Sequence, residues 1–159
     1  MDTRTRQARF DAIAAAMGHS FAGEIKIGGH YVSTLQHGSQ VFVSGQIPRI
    51  GSNVMVTGRA GSDVTLAQTR EAARICAMRA LALLAQALGS LDRIQQLLRV
   101  GVYVQSAADF TQQSEVADAA SDLLHEVLGA AGTHTRTSIG VAQLPKNAAV
   151  ELDLIAAVS

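Results

Sequence analysis

A single cysteine, two prolines, two tyrosines, four phenylalanines and no tryptophan in 159 residues exclude several architectures at once. Cys76, alone inside a helical pattern, rules out a disulfide scaffold or a thiolate metal cluster. With aromatics at 4% of the chain, the core has to be built from Ala, Val, Leu and Ile. Thirteen basic residues face thirteen acidic ones without a basic block, so the chain lacks the electrostatic footprint of a nucleic-acid binder. No apolar run approaches the ~18 residues of a membrane span. No charged-then-apolar leader precedes a small-residue cleavage site, and a soluble cytoplasmic protein is expected. His30, His37 and His134 lack ligand spacing and a carboxylate cluster, while His19 and His125 read as surface residues, so no metal is expected.

What is present suits one domain, which at this length buries roughly two-thirds of its unfolded surface. Thr3 to Met17 places Phe10, Ile13, Ala14 and Met17 at helical spacing and ends near Gly18. Residues 19–29 are irregular; Tyr31 to Leu35 and Gln40 to Ser44 read as strands, and Gly51 to Gly61 as a loop or short ribbon. Thr65 and Gln68 form a capping box opening a long helix that Gly89 closes. Ile75, Met78, Leu81 and Leu88 cover its inner side, with Arg70, Glu71, Arg74 and Arg79 mostly off it. Leu91 to Leu97 connects to a strand in which Leu98, Val100, Val102 and Val104 alternate with Arg99, Gly101, Tyr103 and Gln105. Ser106 and Asp109 are expected to cap a second helix ending at Gly129. This order predicts one sheet with two helices on one face, and a partly apolar opposite face that subunits would cover.

The chemistry concentrates in Arg136 to Glu151. Two alternating segments flank the turn Leu144-Pro145-Lys146-Asn147, which predicts a β-hairpin carrying one arginine and one glutamate. A structural ion pair across that hairpin is the simpler reading, since paired charges in sheets are common. In the functional reading Arg136 clamps a carboxylate with its planar guanidinium and Glu151 holds or deprotonates water. Ser44, followed by Gly45, suits a hydrogen-bond donor better than a nucleophile, because VSGQ is no nucleophile elbow. Cys76 reads as core, and Tyr31 and Tyr103 as packed residues with wet hydroxyls.

Five segments carry a resemblance: VFVSGQIP (Val41 to Pro48), GRAGSDVTLAQTREAAR (Gly58 to Arg74), LGSLDRI (Leu88 to Ile94), VYVQSAADF (Val102 to Phe110) and RTSIGVAQLPKNAAVELDLIA (Arg136 to Ala156). Through them the chain resembles the RidA/YjgF family, also called endoribonuclease L-PSP-like. The resemblance implies a chorismate-mutase-like α+β single domain over residues 25–159, with a mixed β-sheet and two long helices on one face, to which residues 1–24 add an N-terminal helical extension. It implies a homotrimer with ligand pockets between subunits. It also implies hydrolysis of reactive 2-imino acids, such as 2-iminopropanoate, to 2-keto acids and ammonia without metal or organic cofactor. By the same resemblance Arg136 grips the substrate carboxylate and Glu151 positions water. Tyr31, Ser44 and Gly45 line the pocket, and backbone near Ser138 meets the imine nitrogen. Ser138 stands where better-known members have cysteine, and the chain is longer than the compact deaminases. A non-catalytic 2-keto acid binding protein is the alternative; ribonuclease action is a third reading, against which the balanced charge argues.

Overall fold

The computed structural model describes residues 2–159; residue 1, the first of the expected extension, lies outside the described residues. Helix α1 (Arg6–Met17) starts at Thr5, whose hydroxyl accepts from the Ala8 amide, and stops at Gly18 in the left-handed conformation. It docks through Phe10 and Ile13, which join the common core, and Phe10 meets Phe21 edge-on at 6.2 Å. Strands β1 (Thr34–His37) and β2 (Gln40–Gln46) pair antiparallel. The expected first strand thus begins three residues late, because Tyr31 to Ser33 fall outside the ladder. A short ribbon, β3 (Arg49–Ile50) with β4 (Asn53–Val54), forms two residues earlier than the segment expected to hold one and takes up only that segment's start.

Helix α2 (Leu66–Leu88) has both halves of the Thr65–Gln68 capping box and ends on left-handed Gly89. Strand β5 (Ile94–Gln105) starts within the segment read as a connection. A register shift between Leu97 and Arg99 turns Leu97, rather than Leu98, into the core. Helix α3 (Gln113–Leu128) begins later than Ser106 and Asp109 suggest: its N-cap is Gln112, with no side-chain cap. Ser106 instead donates its hydroxyl to the Val104 carbonyl at 2.7 Å. Strands β6 (Thr135–Val141) and β7 (Val150–Val158) complete the chain. Among the described residues no helix is long and apolar enough to cross a membrane.

The predicted β6–β7 hairpin does not form. The five-stranded sheet runs β1-β2-β7-β5-β6, so β5 lies between the two strands. Strand β5 pairs parallel with β6, through the crossover helix α3, and antiparallel with β7. Both long helices pack on one face of this mixed sheet, as expected. Helix α2 is buried along fourteen of its twenty-three residues, its alanines allowing close approach to the strands. Arg79, assigned to the outer side of α2, is a correction: only 5% of it is exposed.

Leu84 sits at the centre of this layer with no exposed surface. Leu84→Ala keeps helix propensity but leaves a cavity, and is expected to lower unfolding free energy by about 2–5 kcal/mol in a urea titration.

Candidate functional site

Three residues singled out from sequence meet at one end of the sheet. Tyr31, Gly45 and Glu151 line a pocket of about 210 Å³ between the start of β7, the β2–β3 junction, the turn before β7 and α2. Glu151 alternates with Val150 and Leu152, both fully buried against the helices, so its carboxylate belongs to the other side of β7. The β2–β7 register shifts between Val43 and Gln46, and Gly45 lies in that irregular stretch. A Cβ at Gly45 would overlap Glu151 Oε1, which is the physical reason for glycine there. Gly101 stands in the same relation to Asp153 Oδ1 on the same face. Burial, and then the nearby Asp153 carboxylate, raise the Glu151 pKa above the ordinary glutamate value. Burial likewise raises Asp153, to which the Tyr103 hydroxyl donates at 3.4 Å.

Ser44 lies beside this pocket rather than in it, donating to the Ser33 carbonyl at 3.2 Å and lining a shallow neighbour with Tyr103 and Asp153. The turn entering β7 is held by buried Gln105, which donates to Asn147 Oδ1 at 2.7 Å and accepts from the Leu144 amide. Lys146 and Asn147 both take positive φ, 60° and 57°, an uncommon backbone state for such residues and one frequent at ligand sites.

Arg136 and Ser138 lie elsewhere, on the edge strand β6. Arg136 turns toward α3, donating to Asp118 Oδ1 at 2.8 Å, Ser121 Oγ at 3.0 Å and Ser114 Oγ at 3.2 Å. It makes no ion pair with Glu151, and the structural pairing read from sequence is thereby corrected: β5 separates the strands and the side chains turn to opposite faces. Ser121 connects Arg136 to His134, whose Nδ1 is 2.6 Å from the Gly132 carbonyl. A carbonyl only accepts, so Nδ1 carries the proton and Nε2 accepts from the Ser121 hydroxyl. Burial lowers the His134 pKa, consistent with a neutral ring.

The sequence reading missed the pocket's cations. Lys26, Arg49, Arg79 and Lys146 all line it, against Glu151 alone among acids. Arg79 was legible in principle, since it continues the buried helical stripe through Ala72 and Cys76, where a charge needs a reason. Arg49 and Lys26 precede no pattern and had no such signal.

The family model described as "YjgF/chorismate mutase-like, putative endoribonuclease" matches residues 12–158. A Trypanosoma cruzi protein, TCP17, is 42% identical over 127 residues, covering 79% of each chain. A 2-iminobutanoate/2-iminopropanoate deaminase of Dermatophagoides farinae is 29% identical over 128 residues, 80% of this chain and 84% of that one. The crystal structure of Atu1372, a protein of unknown function from Agrobacterium tumefaciens, superposes with a TM-score of 0.85 at 33% identity, covering 97% of this chain and 92% of that one.

The raised carboxyls on β7 carry a sign for stability. A carboxyl with its folded pKa above the unfolded value holds its proton longer when folded. Stability is then lost as pH rises from the ordinary carboxylate pKa through the raised one. Glu151→Gln removes that charge without changing shape, and is expected to raise the midpoint of thermal unfolding at pH 7 while leaving it little changed below pH about 4.

Proposed function

The chain belongs to the YjgF/chorismate-mutase-like family, and we propose that it hydrolyses reactive 2-imino acids to 2-keto acids and ammonia at a site shared between subunits of a homotrimer. The observation that carries this reading is the half-buried Glu151 carboxyl, raised in pKa, facing a small pocket with Tyr31 and Gly45. The similarity to a protein named 2-iminobutanoate/2-iminopropanoate deaminase supports the reaction type.

The chemistry needs a carboxylate clamp and a base, and consumes only water. Arg136 supplies the clamp. Its present partner Asp118 has a side chain 55% exposed, so the pair is weak and one carboxylate can replace the other at little cost. Held by two guanidinium hydrogen bonds, with Ser138 two residues further along the edge, the substrate presents its C=N carbon in a fixed orientation. Glu151 accepts a proton from water as the water oxygen bonds to that carbon. The proton held by Glu151 and the hydroxyl proton of the tetrahedral adduct both pass to nitrogen as the C–N bond breaks, so ammonia leaves and the keto acid remains. A carboxyl with raised pKa is a stronger base once ionised, which suits this transfer.

Within one chain Arg136 and Glu151 turn to opposite faces of the sheet, so the reading requires Arg136 from a neighbouring subunit. Leu35, Phe42 and Ile139, on the uncovered face or its edges, are 60%, 41% and 44% exposed, apolar surface that association would remove from water.

Ammonia release from 2-iminopropanoate, formed in situ by an amino acid oxidase, tests the proposal. Arg136→Ala is expected to lower kcat/KM by about 10²-fold, and Glu151→Gln to lower kcat by roughly 10²–10⁴-fold. Refolding the two inactive variants together should restore part of the activity, because some sites then combine intact residues from different subunits. Undiminished rates in either single variant would refute the assignment.

A further inference from the structure

Arg79 is a charge buried to 95% without a countercharge. Its guanidinium donates to neutral oxygens only: Gln46 Oε1 at 3.2 Å, the Arg49 carbonyl at 2.7 Å and the Lys26 carbonyl at 3.4 Å. Three of its five N–H groups are thus used, and two remain. Beside it, Arg49 Nε is buried with no hydrogen-bond partner, the one such side-chain atom among the described residues. Neither guanidinium has a carboxylate within ion-pair distance among the described residues. Burial lowers the Arg79 pKa, and the like charge of Arg49 acts in the same direction.

Buried charges are ordinarily paired, and buried N–H groups are ordinarily bonded. Glu151 does not meet this need, although it lines the same pocket: the influences on its pKa are burial and Asp153, with no offsetting cation. Lys26 and Lys146 add two further positive groups at the rim. The pocket therefore carries uncompensated positive charge at its wall, at a place distinct from Arg136 on the β6 edge.

We infer that Arg49 and Arg79 form an anion subsite that takes a second carboxylate of the substrate, so that the preferred substrates are small 2-imino dicarboxylates. The inference rests on the imine-hydrolysis reading for what happens at the C=N carbon, but the subsite is defined without it. The α-carboxylate goes to Arg136 of a neighbouring subunit, the imine carbon faces Glu151, and the distal carboxylate accepts from Arg49 Nε and the unused Arg79 N–H groups. The step remains the same hydrolysis: water adds to the C=N carbon, the C–N bond breaks, and a 2-keto dicarboxylate and ammonia leave. A pocket of about 210 Å³ matches ligands of a few carbons rather than a nucleotide.

Equilibrium titration of the full chain with succinate and with butyrate reads the subsite without chemistry, since the two differ by one carboxylate. Succinate is expected to bind roughly tenfold or more tightly, as a charge-assisted pair predicts, and the advantage should vanish in Arg49→Gln. Arg49 is the residue to change, because Arg79 ties three segments together and its loss would unfold them. Equal binding of the two acids, or an advantage that survives Arg49→Gln, overturns the subsite. Inorganic phosphate binding more tightly than succinate overturns the carboxylate assignment in favour of a phosphate ligand. Turnover of the imines of aspartate and of 2-aminobutanoate, each formed by its oxidase, separates the two readings. Hydrolysis of both without preference for the dicarboxylate overturns the subsite alone. Hydrolysis of neither, with succinate preferred in the titration, supports the subsite and overturns only the reaction.

Discussion

Strand β7 passes between β2 and β5, and the position of every candidate residue depends on its register. Val150, Leu152, Leu154, Ala156 and Val158 are buried against the helices, while Glu151, Asp153 and Ile155 alternate with them. A slip of one residue would exchange the two sets, sending both carboxylates into the core. The hydrophobic effect that fixes the apolar set therefore also fixes Glu151, with no contribution needed from Glu151 itself. Its surroundings are adapted to it instead: the β2 irregularity and the missing side chain at Gly45 leave the space its carboxylate occupies.

That adaptation has a thermodynamic cost. Two carboxyls on the same strand face, both raised by burial, are groups the fold would keep better uncharged. A sheet selected for stability alone would place threonine or valine at such positions. Strain recurs nearby at Lys146 and Asn147, where two successive side-chain-bearing residues hold positive φ and Gln105 secures the turn from below. Unfavourable features gathered around this pocket and its shallow neighbour are characteristic of sites shaped by ligand rather than by folding.

Local signals mostly survived translation into structure, the Ser106–Asp109 cap of α3 being the exception, whereas the pairing of distant strands did not. The Thr65–Gln68 box, Gly18 and Gly89 act through hydrogen bonds spanning a few residues, so the sequence order alone reveals them. The β6–β7 hairpin failed because a good turn, Leu144 to Asn147, does not say whether the strands it joins are neighbours. Strand β5 entered between them through the α3 crossover, a choice made by packing across the whole sheet. Leu97 replaced Leu98 in the core for a similar reason, since a bulge reverses alternation without leaving a local mark. The candidate residues were legible as residue types, and Tyr31, Gly45 and Glu151 do converge. Their separation from Arg136 was not legible, because it follows from the strand order.

The three arginines differ in what their surroundings leave undone, and this orders their readiness to meet a ligand. Arg79 spends three N–H groups on backbone and Gln46 oxygens, so it joins segments first and meets an anion second. Arg136 is paired, but with a carboxylate open to solvent, and exchanging it for a substrate carboxylate costs little. Arg49 alone keeps a buried nitrogen with no partner, so any anion reaching it removes a penalty the empty pocket carries. A ligand with one carboxylate can satisfy Arg136 or Arg49 but not both, given that the first lies on an edge strand and the second inside the pocket. Two carboxylates on one short chain satisfy both, and it is this unequal saturation of like groups that gives the pocket a preferred occupant.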